Sequence, residues 1–345
     1  MENKEYKLAY LAGILDGDGS FSLIKASQSK SDCPIYYPLI QCASTDKEVI
    51  HFLASFGGHV SFRNEYVAKD GGVRKSSFNW KVKGRQKCLD ILDSIIPYLV
   101  VKKERASYLR DYIINNDQIR GKALLSSLYL IDREKAYLKM LKFNNSPCIK
   151  YQNEGLLKES DEFWAYVAGL MDADGSFSVK KEIRKSRKNP SYTPIILLSM
   201  VDCRAIYCIK NIVKDANILV VKAKTTTRGL MYRLSITSKE VARCFLSNAI
   251  PFLRQKKEAA LTLLRFCEHL QPTSYRQGGI KKEELEYRER MYSRMVQLNK
   301  YGVSKSSLID LETLAGNAEG NKAEAAKACT VNVASEKTSK DDAVL

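Results

Sequence analysis

The chain of 345 residues carries 56 Lys and Arg against 39 Asp and Glu, a formal net charge of +17 on an ordinary hydrophobic content of 45%. That length suggests about two domains, each with its own core. The basic excess calls for a polyanionic partner, and without an apolar run of membrane-spanning length nucleic acid is a better candidate than a membrane. Nine scattered cysteines with no C-x-x-C pair, and three histidines (His51, His59, His269) apart from them, argue against a zinc site, a disulfide framework and His-based nucleophilic chemistry. The opening Met1-Glu2-Asn3-Lys4-Glu5 reads as neither a signal peptide nor a transit peptide.

In chain order, the first element is a helix in which Ala9 and Gly13 share one face, four residues apart, so that a second backbone can approach closely. It runs into the acidic turn Asp16-Gly17-Asp18-Gly19, where a glycine at positive φ is expected to end it. Ser20 to Lys25 then alternates as a strand, and a second strand spans about 36–43. A helix over about 46–56 is closed by Gly57-Gly58. Strands near 60–66 and 76–83 follow, joined by the turn-like Lys69-Asp70-Gly71-Gly72; in the second, Phe78, Trp80 and Val82 face inward. Helices begin near Arg85 and Lys102.

The same order returns. Val167-Ala168-Gly169-Leu170-Met171-Asp172-Ala173-Asp174-Gly175-Ser176-Phe177-Ser178 repeats Leu11 to Ser22, with Ala165-Tyr166 answering Ala9-Tyr10. Strands over about 176–181 and 192–201, a helix over 202–215, strands near 219–224 and 230–237, and helices from about Lys239 and Lys256 complete the second copy. Pro97-Tyr98-Leu99 matches Pro251-Phe252-Leu253, and each is followed by Lys-Lys-Glu at 102–104 and 256–258. Arg133-Glu134-x-x-Tyr137-x-x-Met140 matches Arg288-Glu289-x-x-Tyr292-x-x-Met295. The expected organisation is a first domain over 1–145, a linker over 146–161, a second domain over 162–301 and a disordered tail over 302–345. That tail holds five Lys against seven Asp and Glu, so the positive charge belongs to the domains.

If the two small-residue helices pack in parallel, both acidic turns meet at one end. Asp18 and Asp174 would then share a spot with the negative ends of two helix dipoles, an arrangement that repels itself unless a hard divalent cation intervenes. An EF-hand turn does not explain the motif, because its sixth position would be Phe21 or Phe177 and its twelfth Ser27 or Ile183.

A duplicated small-residue helix ending in Asp-x-Asp-Gly resembles the signature of the LAGLIDADG homing endonucleases, in their monomeric, double-motif branch. The resemblance covers roughly residues 6 to 300. It implies an α+β fold of two pseudo-symmetric αββαββα(α) domains, each with an antiparallel four-stranded DNA-binding sheet, packed through the motif helices. It also implies Mg²⁺ (or Mn²⁺) held by Asp18 and Asp174 with the backbone carbonyls of Gly17 and Ala173. Lys102 and Lys256 match the basic residue that lies near the attacking water in the family. Asp16 and Asp172 are expected to orient the helix ends. The remaining water-positioning residue has no clear counterpart, since Ser44-Thr45-Asp46 and Met200-Val201-Asp202 differ in type.

Outward strand positions would face the DNA: Ser22, Gln28, Gln41, Arg63, Asn79 and Lys81 in the first half, and Ser178, Lys180, Lys222, Lys224, Arg233 and Ser235 in the second. The implied activity is site-specific cleavage of double-stranded DNA by a monomer, leaving 3′ overhangs. An intron-RNA maturase and a non-cutting DNA-binding regulator on the same fold are the other readings. An intron-borne frame would place the protein in a mitochondrion or plastid.

Overall fold

A computed structural model describes residues 3–28, 31–68, 71–116, 127–143, 158–186, 189–222, 230–270 and 280–301. The first half begins with α1 (Lys4–Gly17), β1 (Gly19–Gln28), β2 (Ser31–Ser44), α2 (Lys47–Ala54) and β3 (His59–Arg63). A short hairpin, β4 (Tyr66–Val67) and β5 (Val73–Arg74), precedes β6 (Ser77–Lys83), α3 (Arg85–Ile95), α4 (Lys103–Asn115) and α5 (Ser127–Lys142). The second half runs α6 (Asp161–Asp174), β7 (Gly175–Glu182), β8 (Ser191–Met200), α7 (Cys203–Ile212), β9 (Asn217–Lys222), β10 (Leu230–Ile236), α8 (Lys239–Ala249), α9 (Lys257–His269) and α10 (Lys282–Tyr301). The sheets are antiparallel, with strand orders β1-β2-β6-β3 and β7-β8-β10-β9. The second of these repeats the first.

The local signals are where the sequence puts them. Asn3 and Ser160 cap α1 and α6 by accepting from the Glu5 and Phe163 backbone N–H groups. Asp46 and Asp202 do the same for α2 and α7. Gly57 and Gly58 take positive φ of 86° and 90° after α2. Phe21, Trp80, Val82, Phe177, Leu234 and Ile236 lie in the core.

The helices α1 and α6 are buried on all sides, from Ala9 to Asp16 and from Phe163 to Asp172. A helix apolar all round belongs in a protein interior, and here the two form the spine between the sheets. They run parallel. A Cβ added to Gly13 would sit 2.1 Å from the Tyr166 carbonyl oxygen, one on Gly169 2.2 Å from the Tyr10 oxygen, and one on Gly17 2.4 Å from the Ala173 Cβ. Backbone therefore meets backbone at the first two positions, which only glycine allows.

Three expectations need correction. The glycines of the acidic turns are not at positive φ; among the described residues that conformation occurs only at Gly57, Gly58, Gly71 and Gly84. Gly19 and Gly175 are required by space instead, because each strand leaves by crossing its own helix. An added Cβ would lie 2.5 Å from the Leu15 Cα or 2.7 Å from the Met171 Cα. Each half also ends in three helices rather than two. The matched Arg-Glu-Tyr-Met stretches lie on α5 and α10, where Met140 and Met295 are buried. Glu134 accepts from Lys25 at 2.7 Å and from Tyr36, and Glu289 repeats this with Lys181 and Tyr192. Finally, β3 does not lead directly into β6, because β4 and β5 pair with each other between them; Lys69 and Asp70 lie outside the described residues. The expected linker falls largely on residues outside the described set, as does the whole tail over 302–345.

Candidate active site

Both acidic turns are built by the same reciprocal clamp. At the end of α1 the Asp16 carboxylate is buried and accepts from the backbone N–H groups of Val100 (2.8 Å), Val101 (2.9 Å) and Lys102 (2.8 Å). Lys102, at the start of α4, reaches back: its Nζ donates to the carbonyls of Leu15, Gly17 and Gly19, each at 2.8 Å. In the second copy Asp172 accepts from Arg254, Gln255 and Lys256 N–H at 2.8, 3.2 and 2.8 Å. Lys256 Nζ donates to Met171, Ala173 and Gly175 carbonyls at 2.8, 3.2 and 2.8 Å. The copies are then cross-linked by exchanged tyrosines, Tyr166 to Asp16 at 2.9 Å and Tyr10 to Asp172 at 2.7 Å.

This network fixes charge as well as shape. Burial pushes the Asp16 and Asp172 carboxyls up, against the pull of the backbone donors and the lysines. Burial likewise pulls Lys102 and Lys256 down, opposed by the surrounding aspartates. Three carbonyl acceptors around one nitrogen engage all three hydrogens of an ammonium, whereas a neutral amine has only two. Each lysine is therefore a fixed internal cation at a helix C-terminus, where the helix dipole favours positive charge.

Asp18 and Asp174 are the acids left over. Both are solvent-accessible, and they emerge side by side: the Cβ position of Gly17 is 3.3 Å from Asp174 Oδ2. Desolvation in this recess raises both carboxyls; for Asp18 the neighbouring Asp174 charge adds to it, and Lys102 and Lys256 oppose the rise at both. Beside Asp18 opens a cavity of about 330 Å³ lined by Ala43, Ser44, Thr45, Ser77, Asp172, Ala173 and Gln255. The carbonyls of Gly17 and Ala173, expected as metal ligands, already accept from the lysines. A carbonyl has a second lone pair, so this shares the oxygens without removing them.

The open sheet faces carry most of the outward residues. Ser20 and Gln41 pair across β1 and β2, Gln41 with Lys81, and Ala43 with Asn79, so these share the face of Ser22. Arg63 stacks on Tyr66 at 4.9 Å, at the sheet end where the hairpin projects. In the second half Ser178, Lys180, Arg233 and Ser235 share the outward register, and Arg233 Nε donates to Ser199 Oγ at 3.2 Å. The Lys222 side chain lies outside the described residues. Lys222 pairs with Leu230 at the end of β9. On β9 the exposed Asn217 and Leu219 pair with Ser235 and Arg233. Lys224 lies outside the described residues; Gln28 ends β1 beyond an irregularity after Ala26, and its side chain is also outside them.

No protein-family model and no curated protein matches the sequence. Solved structures do match. I-LtrWI, a LAGLIDADG homing endonuclease bound to target DNA, superposes with a TM-score of 0.63 at 16% identity, covering 85% of this chain and 98% of that one. The LAGLIDADG homing endonuclease I-SmaMI bound to cleaved DNA gives 0.61 at 15%, covering 84% and 96%. I-SmaMI bound to an uncleaved DNA target in the presence of calcium ions gives 0.61 at 15%, covering 84% and 98%.

This is the LAGLIDADG fold. Within it, the clamp from Asp16 and Asp172 to the turns before α4 and α9 is what sequence reading left incomplete. The repeat exposed the aspartates and lysines, but not that they bind each other's backbones. Tyr10 and Tyr166 were visible as a matched pair, yet nothing in a sequence marks a tyrosine whose hydroxyl crosses to the other copy. Gln255 was hidden by its counterpart, the apolar Val101.

Proposed function

We propose that this LAGLIDADG-fold chain is a site-specific double-strand DNA endonuclease. The observation that carries the proposal is the convergence of Asp18 and Asp174, one from each motif copy, at the parallel ends of α1 and α6 between two open antiparallel sheets. A long duplex laid along both sheets brings its backbone over this point. The basic charge of the chain supplies affinity, and the outward Gln, Asn, Arg and Lys side chains can read base edges.

The donor set suits Mg²⁺ or Mn²⁺. Two carboxyls whose protonation desolvation favours, with backbone carbonyls beside them, offer hard oxygens, and DNA phosphates and waters complete such a shell. Among the described residues no group of three His, Cys, Asp or Glu converges, so an all-protein cage is not what is built. When bound, the cation supplies an activated water and charge neutralisation at the phosphate. Asp18 and Asp174 hold it. Lys102 and Lys256 keep the helix ends rigid and add fixed positive charge where negative charge develops. Asp16, Asp172, Tyr10 and Tyr166 hold the two acids in register. That I-SmaMI has been crystallised on DNA with calcium supports the same assignment here.

Selection of cleavable sites from a randomised duplex library with Mg²⁺ tests the proposal. One enriched, long, asymmetric site is the expected result. No duplex cut, with splicing of an intron RNA instead, would replace endonuclease by maturase.

A further inference from the structure

The two halves share one backbone plan, and strand register shows which side chains stand at equivalent points of the two open faces. The row that begins just after the first motif turn is Ser20, Gln41, Lys81 and His59. In the second sheet the same row is Ser176, Leu197, Ser235 and Asn217. The next row sets Ala43, Asn79 and Ser61 against Ser199, Arg233 and Leu219. Two residues before Asn79 stands Ser77, and two before Arg233 stands Met231. Three polar positions of the first face, Gln41, Ser61 and Ser77, are thus Leu197, Leu219 and Met231 on the second. These are not core side chains. Leu219 is 52% exposed and Leu197 and Met231 are half-buried, whereas their strand neighbours Ile196, Leu198 and Leu234 fill the core from the opposite face. The first sheet keeps its apolar outward residues at the far end of β1 and β2, at Ile24, Tyr37 and Ile35, where the second has Lys180, Thr193 and Ser191.

In the major groove thymine alone offers an apolar group, its 5-methyl; the other base edges present donors and acceptors. A donor or acceptor pressed against a hydrocarbon side chain loses its water and gains no partner, which is costly. Leu197, Leu219 and Met231 therefore favour thymine and penalise the other bases. The serines among them, Ser176, Ser199 and Ser235, can donate or accept and oppose no base. Arg233, between Leu219 and Ser199, suits a guanine within the same stretch. We propose that the inner part of the half-site under the second sheet is selected through thymine methyl groups by Leu197, Leu219 and Met231, while the matching base pairs under the first sheet are read through hydrogen bonds by Gln41, Asn79 and Lys81. This rests on the endonuclease reading and names its substrate, a target whose inner flanks are recognised by opposite chemistries. Under the first sheet, Ile24, Tyr37 and Ile35 move methyl recognition to the outer end. Burial of one methyl is worth about three- to fourfold in affinity, so about three methyls together give about thirtyfold to sixtyfold.

The test uses the full chain, Ca²⁺ and a duplex obtained by binding selection from a randomised library. Lys81→Ala marks the half-site under the first sheet, as the one where base preference relaxes. Deoxyuridine then replaces thymine on one inner flank at a time, which removes the methyl and leaves every donor and acceptor in place. Under the second sheet this should weaken binding by about thirtyfold to sixtyfold for about three methyls, and under the first by less than about twofold. Leu197→Gln with Leu219→Ser, which gives the second face the residues of the first, should abolish the deoxyuridine effect and shift selection there away from thymine, with the circular dichroism spectrum unchanged. A selected site without thymine on the inner flank under the second sheet, or equal deoxyuridine effects on the two inner flanks, would overturn this inference and leave the endonuclease standing. A chain that selects no duplex overturns both.

Discussion

Replacing Gly13 by alanine tests the packing on which the site depends. On an exposed helix the change would be stabilising by about 1 kcal/mol, since alanine is the better helix former. In α1 the new methyl would lie 2.1 Å from the Tyr166 carbonyl oxygen and 2.8 Å from the Leu170 nitrogen. Both are backbone atoms of a buried helix, so neither can rotate away. The helices must separate by roughly 1 Å before the contact becomes ordinary. Overpacking of this kind costs about 1–3 kcal/mol, and rigid backbone on both sides places it at the top of that range or beyond. We expect Gly13→Ala, and equally Gly169→Ala, to lower stability by about 3 kcal/mol in spite of the propensity gain. At about 2–4 °C per kcal/mol that is a fall in Tm of roughly 6–12 °C. The same separation parts Asp18 from Asp174, and a displacement near 1 Å costs about a hundredfold in rate. Thermal melting by circular dichroism, with cleavage measured well below the new Tm, reads both effects. An unchanged or raised Tm for either variant would refute the claim that glycine is there for backbone contact.

The other expectations concern charge and assembly. Asp18→Asn and Asp174→Asn should each raise the Tm at neutral pH in EDTA. Desolvation raises the folded-state pKa of both carboxyls, so their stabilising preference for the protonated form is lost as pH rises through those values. The gain should shrink as the pH falls toward the ordinary aspartate range, and a gain that is independent of pH would contradict the assignment. Lys102→Met should cost about 3–5 kcal/mol in urea unfolding, because three carbonyls and a buried carboxylate lose their cation. Lys102→Arg should not restore it, since a planar guanidinium cannot meet three convergent acceptors; full rescue by arginine would show that charge alone matters. DNA affinity should fall by about 10³ to 10⁵ between about 50 and about 200 mM salt, as for six to ten neutralised phosphates, and deletion of residues 303–345 should leave that slope unchanged. Sedimentation should find one protein copy per duplex; two copies would contradict the pairing of motifs within one chain.

The architecture was legible because the chain states it twice. The repeated small-residue helix with its acidic turn, and the alternation of Phe21, Trp80, Val82 and Leu234, fix helices and strands through periodicities that burial enforces. What sequence could not carry was spatial. The turn glycines looked like conformational devices, and only the crossing of strand over helix shows that Gly19 and Gly175 answer to space. Clamp partners such as Asp16 and Val100 to Lys102 are far apart in the chain, and backbone donors leave no residue signature.

The central claim is that Asp18 and Asp174 act together in cutting a duplex and are not needed for holding it. The direct measurement compares wild type, Asp18→Asn and Asp174→Asn on one selected target, with binding followed by anisotropy in Ca²⁺ and cleavage in Mg²⁺. The account predicts that both variants bind at least as tightly as wild type, since each removes a negative charge from the path of the phosphates, while double-strand cleavage is abolished in both. Wild-type-like cutting by either variant would contradict it.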